Sequence, residues 1–542
     1  MFNQLLKREK SCGSSFTESL KAFAYANPLY NLTLKTKKHL SLNYVPNDLW
    51  PGDAEHGMAL INNQYHFAGI TRTSSVPPWS LEERDLVWED TLHSFTWLRD
   101  LKSVGGDAGR RKARMMITDW IREYGYWNKI AWQPATLARR ICAWVYFYNF
   151  GGANADEVFK EKFTETLAAQ AKHLLRVFPG SLNGVERLQA TKALLLTHIC
   201  LTISSVSEDR IQHLIETEAS NQIWQDGMHI SRNPIQHTYA LMDLIDIRVL
   251  LKSADVPVPN SLNSIIDKMA AALKFMRHGD GKLPIFAGSH EASELLLDTV
   301  LTNALYKGKP AQSLKQSGYS KKTLGRATLF IDIGPEGPDI KNWKSPGAIE
   351  FSMGKQRIFV NCGTTSYPSK YSPHMDRTVA FSTLSLQEKS VDFSNYEQLD
   401  LEPRRSHVQE DVASYLLELS HAGYLKGLET IHHRRIYLSQ NGEDLRGEDI
   451  LSGPAGLEYA LRFHLHPSIK ASIIQDGYEI LLQPAKGAGF RFLAGGHRMT
   501  LEESIYFGDG ETFRKTQQIV LEGQTIPDTT ALQWALQREA KA

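Results

Sequence analysis

ATLFIDIG, residues 327–334, is where this chain changes its grammar. Upstream of Gly318 the apolar residues recur at helical spacing; from here on they come in short β-branched or aromatic runs closed by Gly, Pro or Asn. The runs that follow are QRIFVNCG (356–363), VAFSTLSL (379–386), SYLLEL (414–419), RRIYLS (434–439), EILLQP (479–484), FRFLAGG (490–496) and ESIYFGDG (503–510). No long amphipathic helix interrupts them, so the C-terminal part is expected to be an antiparallel sandwich or two stacked sheets.

Working back from residue 327, the segment LEERDLVWEDTLHSFTWLRDL places Leu81, Leu86, Trp88, Leu92, Phe95 and Leu98 near spacings of 3, 4 and 7. That predicts a helix of about 20 residues. Further helices are predicted at about 107–124, 134–150, 155–178, 185–205, 208–222, 234–253, 260–277 and 290–306. So many consecutive helices with short joints exceed a four-helix bundle and favour a solenoid or a toroid of hairpins. Residues 1–80, rich in turn formers and aromatics, read as an irregular strap with short strands. The expected division is therefore a strap (1–80), a helical domain (81–318) and a sheet domain (319–542).

Composition narrows the function classes. Lys+Arg 61 against Asp+Glu 60 gives a net charge of +1, so no global field draws the protein to nucleic acid. No apolar run of about 18 residues is present, and the basic N-terminus lacks the apolar stretch of an export signal. The expectation is a soluble protein, cytoplasmic by default, without a membrane span; its oligomeric state is left open. Cys12, Cys142, Cys200 and Cys362 are scattered, which reads as free thiols and not as a disulfide framework or zinc cluster. The tryptophans along the first helices, Trp88, Trp97, Trp120, Trp127, Trp132 and Trp144, read as core.

Several blocks occur in a telling order: WPGDAEHG (50–57), LHSFTWLRDL (92–101), WQPATLARRICAW (132–144), GVERLQA (184–190), DGMHISRNPIQH (226–237), FMRHGDGKLPIFAG (275–288), RIYLSQNGEDLRGED (435–449) and LRFHLHP (461–467). Together they resemble the heparinase II/III-like superfamily, in a bacterial branch without a signal peptide. The resemblance implies an incomplete (α/α) toroid joined to an antiparallel β-sandwich, an acidic polysaccharide or oligosaccharide as partner, and β-elimination at a uronic acid. It also makes the cell envelope the alternative location. Elimination needs a group to neutralise the carboxylate, a base for the C5 proton and an acid for the departing oxygen.

In relatives a tyrosine precedes the last histidine of the block 226–237; here that position is Gln236, and an amide does not exchange protons near neutral pH. Tyr239, one helical step further, is placed to inherit the work, beside His237. The neutralising position falls at about Asn183 or Gly184, with Arg187 beside it. His229, Arg232, Arg277 and His278 add polar groups for substrate, and YSPHMDR (371–377) offers His374 as a substitute acid–base group with Arg377 next to it. The catalytic candidates are thus Tyr239, His237 and His374, with Asn183, Arg187, His229, Arg232, Gln236, Arg277, His278 and Arg377 for binding. Each also has a plain reading: Asn233 as a helix cap, His237 and Tyr239 as packing, Arg187 as an ion pair, RHGDG as a helix end.

Relatives hold a structural metal with residues that correspond here to Asn361 and Phe381, so no metal is expected, and no cofactor. The pairs His464/His466 and His432/His433 lack a third ligand. Two further readings stay open: a catalytically silent saccharide-binding or envelope-biogenesis protein, and a hydrolase using paired carboxylates such as Asp280 and Glu291.

Overall fold

A computed structural model describes residues 20–36, 40–81, 85–152, 154–201, 208–335, 342–367, 371–394, 404–411 and 414–539; Cys12 lies outside them. The chain forms two compact units, one made of the described residues up to Ile223 with Thr238–Asp267 and Asp298–Tyr306, the other of Trp224–His237, Lys268–Leu297 and the chain from Lys307 onward.

The first unit is helical. It opens with α1 (Pro28–Leu34), α2 (Ala54–Ile61) and a two-stranded hairpin of β1 (Gln64–Phe67) and β2 (Ile70–Thr73). Then come α3 (Leu86–Ser94), α4 (Leu98–Val104), α5 (Gly106–Tyr124), α6 (Pro134–Tyr146), α7 (Glu157–Val177), α8 (Val185–Leu201) and α9 (Glu208–Gln222). The expected single helix after Leu81 is two helices. Phe95 takes a left-handed backbone (φ 58°), and the bend drops its ring among Trp97, Trp120 and Trp144 at 4.9, 6.0 and 5.6 Å. Burial of two aromatics there outweighs helical continuity. Trp88, Trp97, Trp120, Trp132 and Trp144 are buried.

Two buried cations knit these helices. Arg140 lies 4.1 Å from the Trp120 ring centre and donates to the carbonyls of His93 and Ala131 and to Gln170. Lys192 donates to Asp243 (2.5 Å) and Asp246 (2.9 Å), and Asp246 also accepts from the Trp50 indole. Lys192 is thus neutralised by two carboxylates, whereas Arg140 is held only by neutral acceptors and the face of Trp120. The two aspartates stand on α10 (Pro234–Ser253), which is followed by α11 (Asn260–Phe275) and α12 (Glu294–Ala304).

The second unit carries two antiparallel sheets. One has the order β13-β14-β15-β18-β11-β10-β9-β8, formed by Lys470–Ile474, Glu479–Gln483, Phe490–Ala494, Asp528–Arg538, Asp444–Gly453, Thr430–Ser439, Ser414–Tyr424 and Arg404–Asp411. The other has the order β16-β17-β12-β6-β5-β4-β3, formed by Met499–Tyr506, Arg514–Gln524, Glu458–Leu465, Gln356–Val360, Ile349–Met353, Ala327–Asp332 and Tyr319–Leu324, with β7 (Leu384–Leu386) beside β12. Every predicted run contains a strand or part of one, and strands at 319–324, 349–353, 404–411, 444–453, 458–465, 470–474, 514–524 and 528–538 join them. Inward residues such as Phe359, Phe463, Phe492 and Trp534 interdigitate, with Phe463 and Trp534 at 4.7 Å. Gly318, where the grammar changes, admits no side chain: at φ +75° a Cβ there would stand 1.7 Å from the Gly334 carbonyl oxygen.

Among the described residues no helix is long and apolar enough to cross a membrane. Cys142, Cys200 and Cys362 are buried free thiols.

Candidate functional site

In the second unit, the segment 224–237 brings its polar residues into fixed partnerships. Arg232, itself at φ 58°, donates to the Ser317 carbonyl (2.7 Å), ion-pairs with buried Asp332 and stacks 4.6 Å from the Tyr319 ring centre. Asn233 caps α10, accepting from the amides of Ile235 and Gln236 and donating to the Ala287 carbonyl. The backbone amide of His229 donates to Nδ1 of His237 (3.3 Å), whose Nε2 donates to the Met269 carbonyl (3.0 Å). Burial pushes His237 down to about 4 and His229 down to about 3, so both rings are neutral at pH 7.

Gln236 is different. Its carbonyl oxygen is buried and accepts no hydrogen bond, which leaves a buried acceptor unsatisfied.

A second cluster forms where the turn after α11 meets the sheet. His278 donates to Glu350 (2.9 Å) through Nε2 and takes the Ser352 hydroxyl at Nδ1 (2.8 Å). Glu350 further accepts from the Ile285 amide (2.8 Å) and from Asn361 (3.2 Å). Arg357 bonds Asp280 (2.9 Å) and the Leu283 carbonyl, and its guanidinium lies 3.7 Å from Glu350 and 4.0 Å from Glu291. Glu291 is also held by Lys282 (2.5 Å) and the Tyr506 hydroxyl, with His466 at 3.7 Å.

The electrostatics follow from burial and pairing. Burial holds His278 well below its ordinary value and pushes Glu350 up to about 7. For Glu291 burial is outweighed by His466, Arg357, Lys282 and Tyr506, which keep the carboxyl ionised; for Asp280 burial is outweighed by Arg357. The carboxylates considered as a hydrolytic pair are therefore both clamped by one guanidinium. Neither has the raised pKa that a general acid for glycosidic cleavage needs, and the carboxyl that is raised, Glu350, is fully buried and bonded to His278, Asn361 and the Ile285 amide.

Asn361 and Phe381 are both engaged within the protein. Asn361 donates to Glu350 and accepts from the Ser382 amide (2.9 Å), Phe381 is buried, and Arg357 already supplies positive charge beside Glu350. This donor set does not suit a cation. Among the described residues no three His, Cys, Asp or Glu converge as metal ligands.

Of the remaining candidates in this unit, Arg277 closes its own turn through the Gly281 carbonyl (2.6 Å). His374 is exposed on a single helical turn, and Arg377 donates to the Glu388 carbonyl (2.6 Å). Both line a cavity of about 540 Å³ with Tyr371, Arg462, His464 and Lys515. At its floor His464 contacts Ser504 (2.8 Å) and the Cys362 thiol (3.5 Å). Burial pushes that thiol up to about 12 and the ring down to about 4, so the pair is uncharged.

Three candidates belong to the helical unit. Asn183 is exposed and donates to the Ser181 carbonyl (2.9 Å), Arg187 ion-pairs with buried Glu218, and Tyr239 is exposed on α10. The structure thus joins His229 to His237 and gives His374 and Arg377 one cavity, while Arg232, Arg277 and His278 each sit in their own network. Glu350 and Arg357 were passed over in the sequence, although a lone charge inside AIEFSM or QRIFV is the mark of a buried ion pair.

Residues 307–535 match the family model described as heparinase II/III-like, C-terminal. FtsZ-localized protein C of Caulobacter vibrioides (strain NA1000 / CB15N) is 28% identical over 538 residues, covering 94% of this chain and 92% of that protein. The crystal structure of heparinase III superposes with a TM-score of 0.74 at 14% identity, over 97% of this chain and 91% of the other. Heparan sulfate lyase HepC from Pedobacter heparinus gives 0.59 at 15% identity, over 98% and 92%.

Proposed function

We propose, from the premise that residues 307–535 are a heparinase II/III-like C-terminal domain in a chain with the heparinase III fold, that this protein binds saccharide without eliminating it. One observation carries the reading: at the place of the relatives' tyrosine stands an amide, Gln236, whose buried carbonyl oxygen lacks a donor. Such an oxygen accepts a hydrogen bond from a hydroxyl yet moves no proton. The neutral rings of His229, His237 and His278, bonded within the protein, support it.

The 28% relative named for its localisation with FtsZ supports a place for this binding protein at the division apparatus. A second reading, elimination by Tyr239 and His374 with Arg377, is favoured by the exposure of both side chains.

Purified protein is incubated with a panel of uronic-acid polysaccharides while ultraviolet absorbance follows the unsaturated product, and is then run over immobilised heparan sulfate. The expected result is retention without product. Product that disappears in Tyr239→Phe or His374→Ala overturns the proposal in favour of the second reading. Co-sedimentation with FtsZ polymer tests the division role.

A further inference from the structure

The outward face of the β8–β15 side of the first sheet carries a trough unconnected with Gln236. Register places Leu416 opposite Tyr437, Tyr437 opposite Arg446, Arg446 opposite Ala535 and Ala535 opposite Leu493. This row crosses five strands, four gaps of about 4.8 Å, or roughly 19 Å. Arg446 folds away to Asp444 (2.6 Å), so the row is an apolar strip with one aromatic ring, Tyr437.

The next row on the same face is polar throughout: Glu418, Arg435, Glu448 and Gln533. Its members are tied to one another, Arg435 to Glu418 (2.9 Å) and Glu448 (3.1 Å), and Gln533 to Glu448 (3.0 Å). On the other flank stand Asp444, Gln537 and Arg491, again cross-strand neighbours. Ala535 and Gly495 are small enough to leave a hollow of about 500 Å³.

We infer that this trough binds a neutral, extended oligosaccharide chain. A pyranose has apolar C–H faces and a rim of hydroxyls, which an apolar strip between two hydrogen-bonding rows matches. Charge argues for a neutral ligand, since both arginines lining the trough are already neutralised by carboxylates and a polyanion gains nothing there. A protein partner fits less well: a stable interface has a core poor in charge and buries well over 1,000 Å², whereas here four apolar side chains lie between charged rows. The polar rows are held by their own bonds before any ligand arrives, so little ordering is left for binding.

The test uses the full chain in titration calorimetry with cellohexaose and chitohexaose as neutral probes and a heparan sulfate hexasaccharide as the acidic one. At least one neutral probe is expected to bind, with the dissociation constant rising at least tenfold in Tyr437→Ala and severalfold in Gln533→Ala, at unchanged thermal midpoint. Should Tyr437→Ala fail to fold, Gln533→Ala decides alone. Gln236→Ala is expected to leave neutral binding intact, which separates this site from the one proposed above. No binding of either neutral probe, binding that both trough variants retain, or a dimer that Tyr437→Ala dissolves would each overturn the inference.

Discussion

The indole of Trp534 lies across the face of Gly447, its cross-strand partner: a Cβ built on the glycine would stand 2.1 Å from Cε2 and Cζ2. The close approach lets Nε1 donate to Asp449 (3.0 Å), a buried carboxylate that also receives Arg434 (2.7 Å) and His432 (2.7 Å). Gly447→Ala therefore has to displace the indole from a hydrogen bond shared with a buried ion pair. Overpacking of this kind costs about 1–3 kcal/mol. Urea denaturation should show that loss, and Trp534→Phe, which removes the donor, should show one of similar size.

The histidine-carboxylate contact behind this arrangement is invisible in the string HHRRIYLSQNGEDLRGED (432–449), because it is the strand register, which sets Asp449 opposite Arg434, that brings His432 within reach on the diagonal. Where local pattern decides, the sequence was readable: the helices from residue 107 onward lie within a few residues of expectation, and every β-branched run is part of a strand. It failed at Phe95, where tertiary burial of an aromatic overrides helical period, and at strands such as RKTQQIVLEGQ and DTTALQWALQR, whose polar outward residues dilute the alternation. Site residues suffered most, since a buried network such as Glu350, Arg357 and Glu291 gathers segments more than 50 residues apart.

Glu350 predicts a pH effect of unusual sign. Its folded pKa, raised by burial to about 7, exceeds the ordinary carboxylate value of 4.5, so between those values the native state binds more proton than the unfolded one. Its contribution is present below about pH 4.5 and is lost as pH rises toward 7, to a total of roughly 3 kcal/mol. Glu350→Gln should remove that slope; identical pH dependences of stability in the variant and the parent would refute it.

The buried histidines act in the opposite direction. Burial holds His229 near 3 and His237 and His464 near 4, against 6.5 when exposed. Below pH 6.5 the unfolded chain takes up protons that the folded rings refuse, so stability falls with acidification until the folded values are reached. At pH 5 each ring accounts for about 2 kcal/mol. The urea midpoint is expected to drop between pH 7 and pH 5, and His464→Gln to flatten the drop by one ring.

Gln236 decides between a lost and a relocated chemistry. If its orphaned oxygen serves a ligand hydroxyl, Gln236→Ala deletes one hydrogen bond, worth about 1 kcal/mol, and retention on immobilised heparan sulfate weakens about fivefold. Gln236→Tyr restores the side chain that relatives carry, yet His237 beside it is neutral and spends both ring nitrogens on the backbone, so no proton acceptor is regained there. The variant is expected to give no unsaturated product from any polysaccharide of the panel. A gain of product on this one substitution would mean that the rest of the eliminating apparatus is intact and that Gln236 alone silences it.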